Sequence, residues 1–127
     1  MTKIIAQTMR DTVYTGAAGN LSIAFGKIDV KAAVVGTEIE TLELPIGLEV
    51  VGVRVATESG LGTGVTLDIK LNDDIIVSAV NVAAKGSIVI PVQPIYLIEK
   101  NILTVVIKGA VATGSVAIMP EYVSVGF

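Results

Sequence analysis

The sequence predicts an all-β protein: one antiparallel β-sandwich domain, jelly-roll-like, preceded by an N-terminal arm. Three observations carry this. The aliphatic residues are mostly β-branched, with 20 Val and 16 Ile against 9 Leu; such side chains lose freedom in helices and pack well on pleated surfaces. Short apolar runs recur along the 127 residues, each closed by Gly, Pro, Asn or Asp, which is the rhythm of a sandwich. No segment offers the crossover helix that a parallel sheet requires. A chain of this length forms one domain with a sizeable core.

The elements follow in order. Residues 1–15 are mixed in polarity and read as an arm, with an ordinary first strand as the alternative; "TGAAGN" (15–20) is a joint, and residues 16–127 form the sandwich. Strands are expected at 21–25, 28–35, 37–44, 49–57, 65–71, 75–82, 87–92, 95–98, 102–108 and 115–125. In "TEIETLEL", Glu38 and Glu40 share a face that becomes Leu42 and Leu44, so a bulge is expected near Thr41. In "EVVGVRVAT", Val51, Val53 and Val55 alternate with Val50, Gly52, Arg54 and Ala56, predicting one wet face. "ILTVVIKG" and "IIVSAV" are apolar on both faces, as in strands covered on both sides. Pro91, Pro94 and Pro120 confine their segments to edges, bends or bulges.

"VTLDIKLNDDIIVSAV" (65–80) raises the question of chemistry, because Asp73 and Asp74 follow an asparagine inside an apolar stretch. Val65, Leu67, Ile69 and Leu71 alternate with polar residues, and a second β-branched run begins at Ile75. Asn and Asp accept left-handed backbone angles and bond their own backbone, so Asn72-Asp73-Asp74 reads as a hairpin tip. With Asp68 these acids do not form the D-x-D-x-D-G calcium loop.

The remaining composition excludes more than it offers. Histidine, cysteine and tryptophan are absent, which removes Ser-His and Cys-His nucleophiles, the usual zinc ligand sets and disulfides. "GLGTG" (60–64) lacks the Lys-Ser/Thr of a phosphate loop and precedes a strand, so it reads as a mobile hairpin loop. Glu38, Glu40 and Glu43 read as a solvated face or charged rim. No catalytic, cofactor or metal residues are assigned, and the expectation is a non-enzymatic protein. A net charge of −3 with scattered basic residues lacks the basic patch that nucleic acid calls for.

Apolar residues make up 52% of the chain and charged ones 17%, against an average of about 25% charged; the mean hydropathy is +0.77. The longest uncharged runs, 12–26 and 86–98, fall short of the roughly 20 apolar residues of a membrane helix and are broken by Gly or Pro. The start of the chain reads as lacking a secretory signal. Apolar surface is therefore expected to be covered by other subunits. Within the arm, Ile4, Ile5, Met9, Val13 and Tyr14 are the candidate partner-binding residues, expected to be mobile in the free protein and ordered on a partner. Unpaired edges near Pro94 or Pro120 are a second candidate device.

Several short motifs, in order, carry a resemblance: Leu44-Pro45-Ile46-Gly47, the Val-rich strand Val50 to Val55, Thr66-Leu67-Asp68, Ala112-Thr113-Gly114 and Glu121-Tyr122-Val123. Over residues 15 to 125 the chain resembles small virion structural proteins of tailed bacteriophages, of the capsid decoration (cement) type. Its apolar "SVGF" ending departs from that pattern. The resemblance implies a β-sandwich on the capsid exterior, a homo-oligomer and often a trimer, binding the major capsid protein or other virion subunits. It brings no catalytic residues. With the composition, it implies a particle component assembled in the host cytoplasm. Two other readings stand beside it: another virion component (head fibre base, tail tube or tail-tip protein), and a carbohydrate-binding β-sandwich. The latter would want more exposed aromatics than Tyr14, Tyr96 and Tyr122.

Overall fold

The computed structural model describes residues 3–13 and 20–125. The described residues form ten strands: β1 (Lys3–Ile5), β2 (Leu21–Ile23), β3 (Gly26–Ala33), β4 (Glu38–Leu44), β5 (Leu48–Thr57), β6 (Thr66–Leu71), β7 (Asp74–Asn81), β8 (Gly86–Tyr96), β9 (Asn101–Lys108) and β10 (Ala112–Ser124). One sheet runs β1-β4-β9-β6-β7; the other runs β2-β10-β5-β8, with β3 also paired to β10. All pairs are antiparallel except β1 with β4. The sandwich that β-branched composition and punctuation predict is the fold observed.

The core lies between the sheets. Ile39, Leu67, Leu103, Val105 and Ile107 from the first sheet meet Ile28, Val50, Val53, Ile118 and Tyr122 from the second, all fully buried. β9 is covered on both faces as expected, with Leu103 to Ile107 all buried. The predicted bulge is present: between Glu40 and Leu42 the register of β4 against β9 shifts, leaving Thr41 without a ladder partner.

Four expectations are corrected, each because pairing overrides local pattern. β5 carries one extra residue, Val51, against β10, where Val50 faces Tyr122 and Gly52 faces Glu121, so Val50, Val53 and Val55 all point inward and Val51 is left half-exposed. The run "IIVSAV" belongs to β7, an edge strand, where Ile75 is 58% exposed. The segments 87–92 and 95–98 join into β8, which passes through Pro91 and Pro94 because it too is an edge. Pro120 is not on an edge. It faces Val53 of β5 at the point where β3 pairing ends and β2 pairing begins, and its carbonyl accepts a hydrogen bond from Ala24 N at 3.2 Å.

The loop at 58–65 is also packed rather than a mobile hairpin. It crosses from one sheet to the other, and Leu61, 2% exposed, closes one end of the core. Leu61 N donates to Val82 O at 2.8 Å and its carbonyl accepts from Thr113 N at 3.1 Å. Gly60, at φ +77, lies so close to the Ala83 carbonyl that a Cβ would stand 2.5 Å from it, so only glycine fits.

Candidate interaction surfaces

The arm is docked along the first sheet. β1 adds to β4 in parallel register, and Ala6 N donates to Glu40 O at 2.9 Å. Thr8, buried, fills the gap left by the bulge: its hydroxyl donates to the Thr41 carbonyl at 2.7 Å and accepts from Lys27 N at 3.4 Å. Outside, Lys3 Nζ lies 2.9 Å from Glu40 Oε2; this hydrogen bond and the Glu40 charge raise the Lys3 pKa above its ordinary value.

This docking separates the five arm residues singled out by sequence. Ile4 packs against the core, and Val13 is 8% exposed within it. Met9 is half-buried and Ile5 is 64% exposed. Tyr14 lies outside the described residues. The same apolar content that suits a partner is thus partly used on the chain's own body.

The acidic residues serve turns and ion pairs. Asn72 and Asp73 are the two-residue tip joining β6 to β7, with Leu71 facing Asp74 and Asn72 at φ 51. Asp68 Oδ1 accepts from Ala79 N at 2.9 Å, holding a bulged residue at φ 57. Glu38 pairs with Lys70 and Glu43 with Lys100, each at 3.6 Å. Asp29 accepts a hydrogen bond from Ser115. Among the described residues there is no group of three or more His, Cys, Asp or Glu placed to hold a metal ion.

The two outer faces differ in chemistry. Across the first sheet one row reads Lys3, Glu38, Val106, Asp68 and the next Ile5, Glu40, Thr104, Lys70, Ile75. That face is charged. Across the second sheet four rows read Leu21, Val123, Glu49, Tyr96; then Ile23, Glu121, Gly52, Pro91; then Met119, Arg54, Val89; then Lys27, Ala117, Ala56, Ser87. Here Leu21, Ile23, Phe25 and Val89 are exposed, and the central charges are Arg54 and Glu121, 3.4 Å apart. A second apolar region is the open side where β7 and β8 end their sheets. A cleft lined by Val55, Val77, Val80, Val82, Ile88 and Ile90, and also by Lys85, separates them; apart from Lys85, residues 75–98 carry no charge. Sequence reasoning did not single out the second sheet's outer face. Its signal was the alternation in "SVAIMPEYV" (115–123), where Ala117, Met119 and Val123 are apolar on the side away from Ile118 and Tyr122.

No protein-family model matches the sequence, and no curated protein matches it. Solved structures do. A chain in the capsid of Ralstonia phage GP4 superposes with a TM-score of 0.74 and 21% identity, covering 97% of this chain and 98% of that one. A chain of the cyanophage Pam1 capsid asymmetric unit gives 0.63 and 16%, over 92% and 94%. One from the acidic stable capsid structure of Helicobacter pylori bacteriophage KHP30 gives 0.63 and 13%, over 86% and 91%. The chain therefore has, from end to end, the fold of a protein found in phage capsids, the fold its sequence motifs resemble.

Proposed function

We propose that the chain is a non-enzymatic structural protein of a phage virion, and within it a capsid decoration protein that sits on the outer surface of the head. The observation that carries this is the whole-chain likeness to chains in three phage capsids. Nearly complete coverage in both directions makes each matched chain about as long as this one, which supports reading it as a small particle component. A small all-β chain with broad apolar surface adds contacts to a shell that other subunits build. Its partners are the major capsid protein or neighbouring virion subunits, and it assembles with them in the host cytoplasm.

Attachment rests on apolar burial and strand pairing, because the net charge of −3 supplies no strong field to steer docking. Ile5 and Met9 offer apolar surface on the arm, and β7 offers an open strand edge without charge from Ile75 onward. The family resemblance favours a trimer on the particle. A reconstruction of the phage that encodes the chain, beside one of particles lacking it, tests the assignment. Density for the sandwich on the head exterior, absent without the gene, is the expected result. Density confined to the tail or fibres makes the chain a different virion component and ends the decoration reading.

A further inference from the structure

We infer that a groove across the outer face of the second sheet, running from β3 to β8, seats an acidic, extended segment of a shell subunit. This rests on the reading of the chain as a head-binding protein and names the contact that reading leaves open. Strand register builds the groove. Lys27, Ala117, Ala56 and Ser87 lie side by side on β3, β10, β5 and β8. The two central positions carry only a methyl group, so the row is a trough between larger side chains. Two residues further along β10 the outward side chain is Met119, and Phe25, 57% exposed, stands with it as one wall. Ser115 and Glu58, two residues the other way on β10 and β5, form the opposite rim. The trough holds about 600 Å³, within the range of about 300–1,000 Å³ usual for binding clefts.

The charges say what lies in it. Lys27 closes one end, and Lys85, in the turn before β8, closes the other. Among the described residues neither takes part in an ion pair, whereas Lys3, Lys70 and Lys100 each hold a glutamate. Glu58 is the one acid in the lining and is paired with neither lysine. The groove is thus locally cationic on a chain whose net charge is −3. Crossing four strands covers three strand spacings, about 14 Å, the length of about four extended residues. A segment with a carboxylate towards each end meets both lysines. An apolar side chain between those carboxylates rests on Ala56 and Ala117 against Phe25. An aromatic ring beside such a floor is where interface energy concentrates. Burial on the floor supplies affinity, and the lysines at the two ends set register and partner choice.

Co-sedimentation of the purified chain with heads that lack it tests the groove. Lys27→Glu with Lys85→Glu sets acid against acid, and Ala117→Leu fills the floor without changing charge. Each is expected to weaken binding about tenfold or more, the first less so in high salt and the second equally at any salt. Lys31→Glu with Lys108→Glu makes the same charge change outside the groove and should bind as the wild type does. Thermal melts show that each variant is folded, and Ala56→Leu stands in should Ala117→Leu fail to fold. Wild-type binding that the folded groove variants keep would overturn the inference and leave the virion reading standing. A control pair that binds as weakly as the groove pair reduces the effect to overall charge and also overturns it. Should light scattering show groove variants losing an oligomer that the wild type forms, the occupant is a second copy and the shell assignment falls. No wild-type binding to heads ends the virion reading and this inference together.

Discussion

Asn72 and Ile102 exchange two hydrogen bonds: Asn72 N donates to the Ile102 carbonyl at 3.0 Å, and Ile102 N donates to Asn72 Oδ1 at 2.9 Å. The tip of the β6–β7 hairpin is thereby tied to the start of β9, which pairs with β6 along its whole length. One asparagine serves as a turn residue, with its left-handed φ, and as a strand partner, with its amide.

Asn72→Ala is expected to destabilise the protein by about 2 kcal/mol, combining a left-handed non-glycine backbone with a lost hydrogen bond. Asn72→Gly keeps the backbone and loses only the side-chain bond, so it should cost clearly less. Urea denaturation orders the two. Equal costs would show that the amide bond, not the turn conformation, sets the preference for asparagine.

Thr8→Val removes the hydroxyl that satisfies the buried Thr41 carbonyl while keeping side-chain volume. An unsatisfied buried acceptor costs about 1–3 kcal/mol, so the midpoint of denaturation should fall measurably. Deleting residues 2–14 should cost at least as much and leave a folded sandwich that binds heads more weakly. A truncated protein that decorates heads as well as the full chain does would remove the arm from the attachment mechanism.

Ala79 and Ala32 hold φ values of 57 and 51 within strands, the first tied to Asp68 and the second to Thr113 Oγ1 at 2.8 Å. Ala79→Gly is expected to stabilise by up to about 1 kcal/mol, since relief of the left-handed penalty exceeds the added unfolded-state entropy. The thermal midpoint should rise by a few degrees. A fall would mean that the alanine methyl is worth more than the strain.

Leu61→Ala should cost about 2–5 kcal/mol, as for a leucine deleted from a closed core. A loss below 1 kcal/mol in chemical denaturation would show that the 58–65 loop is peripheral to the fold.

The parts legible in the sequence were those set by neighbours along the chain. Alternation from Val65 to Leu71 marked β6, Asn72-Asp73 marked its turn, and the face switch from Glu40 to Leu42 marked the Thr41 bulge. What the sequence did not disclose was which strands lie at the edges. "IIVSAV" and "ILTVVIKG" have the same two-faced apolar character, yet β9 sits mid-sheet and β7 at an end. That difference is decided by long-range pairing. The same holds for the arm: nothing local tells Ile4 and Val13, which face the chain's own core, from Ile5, which faces outward. For the outer face of the second sheet, β2, β10 and β5 had to be placed side by side before Leu21, Met119 and Arg54 formed one surface.

The central claim, that the chain decorates the outside of a phage head, is tested most directly by adding purified protein to heads that lack it. The account predicts saturable binding to the exterior, visible by electron microscopy and persisting at high salt because apolar attachment depends little on screening, with a higher temperature of head disruption. No binding to such heads, with binding to tails or fibres instead, would contradict it.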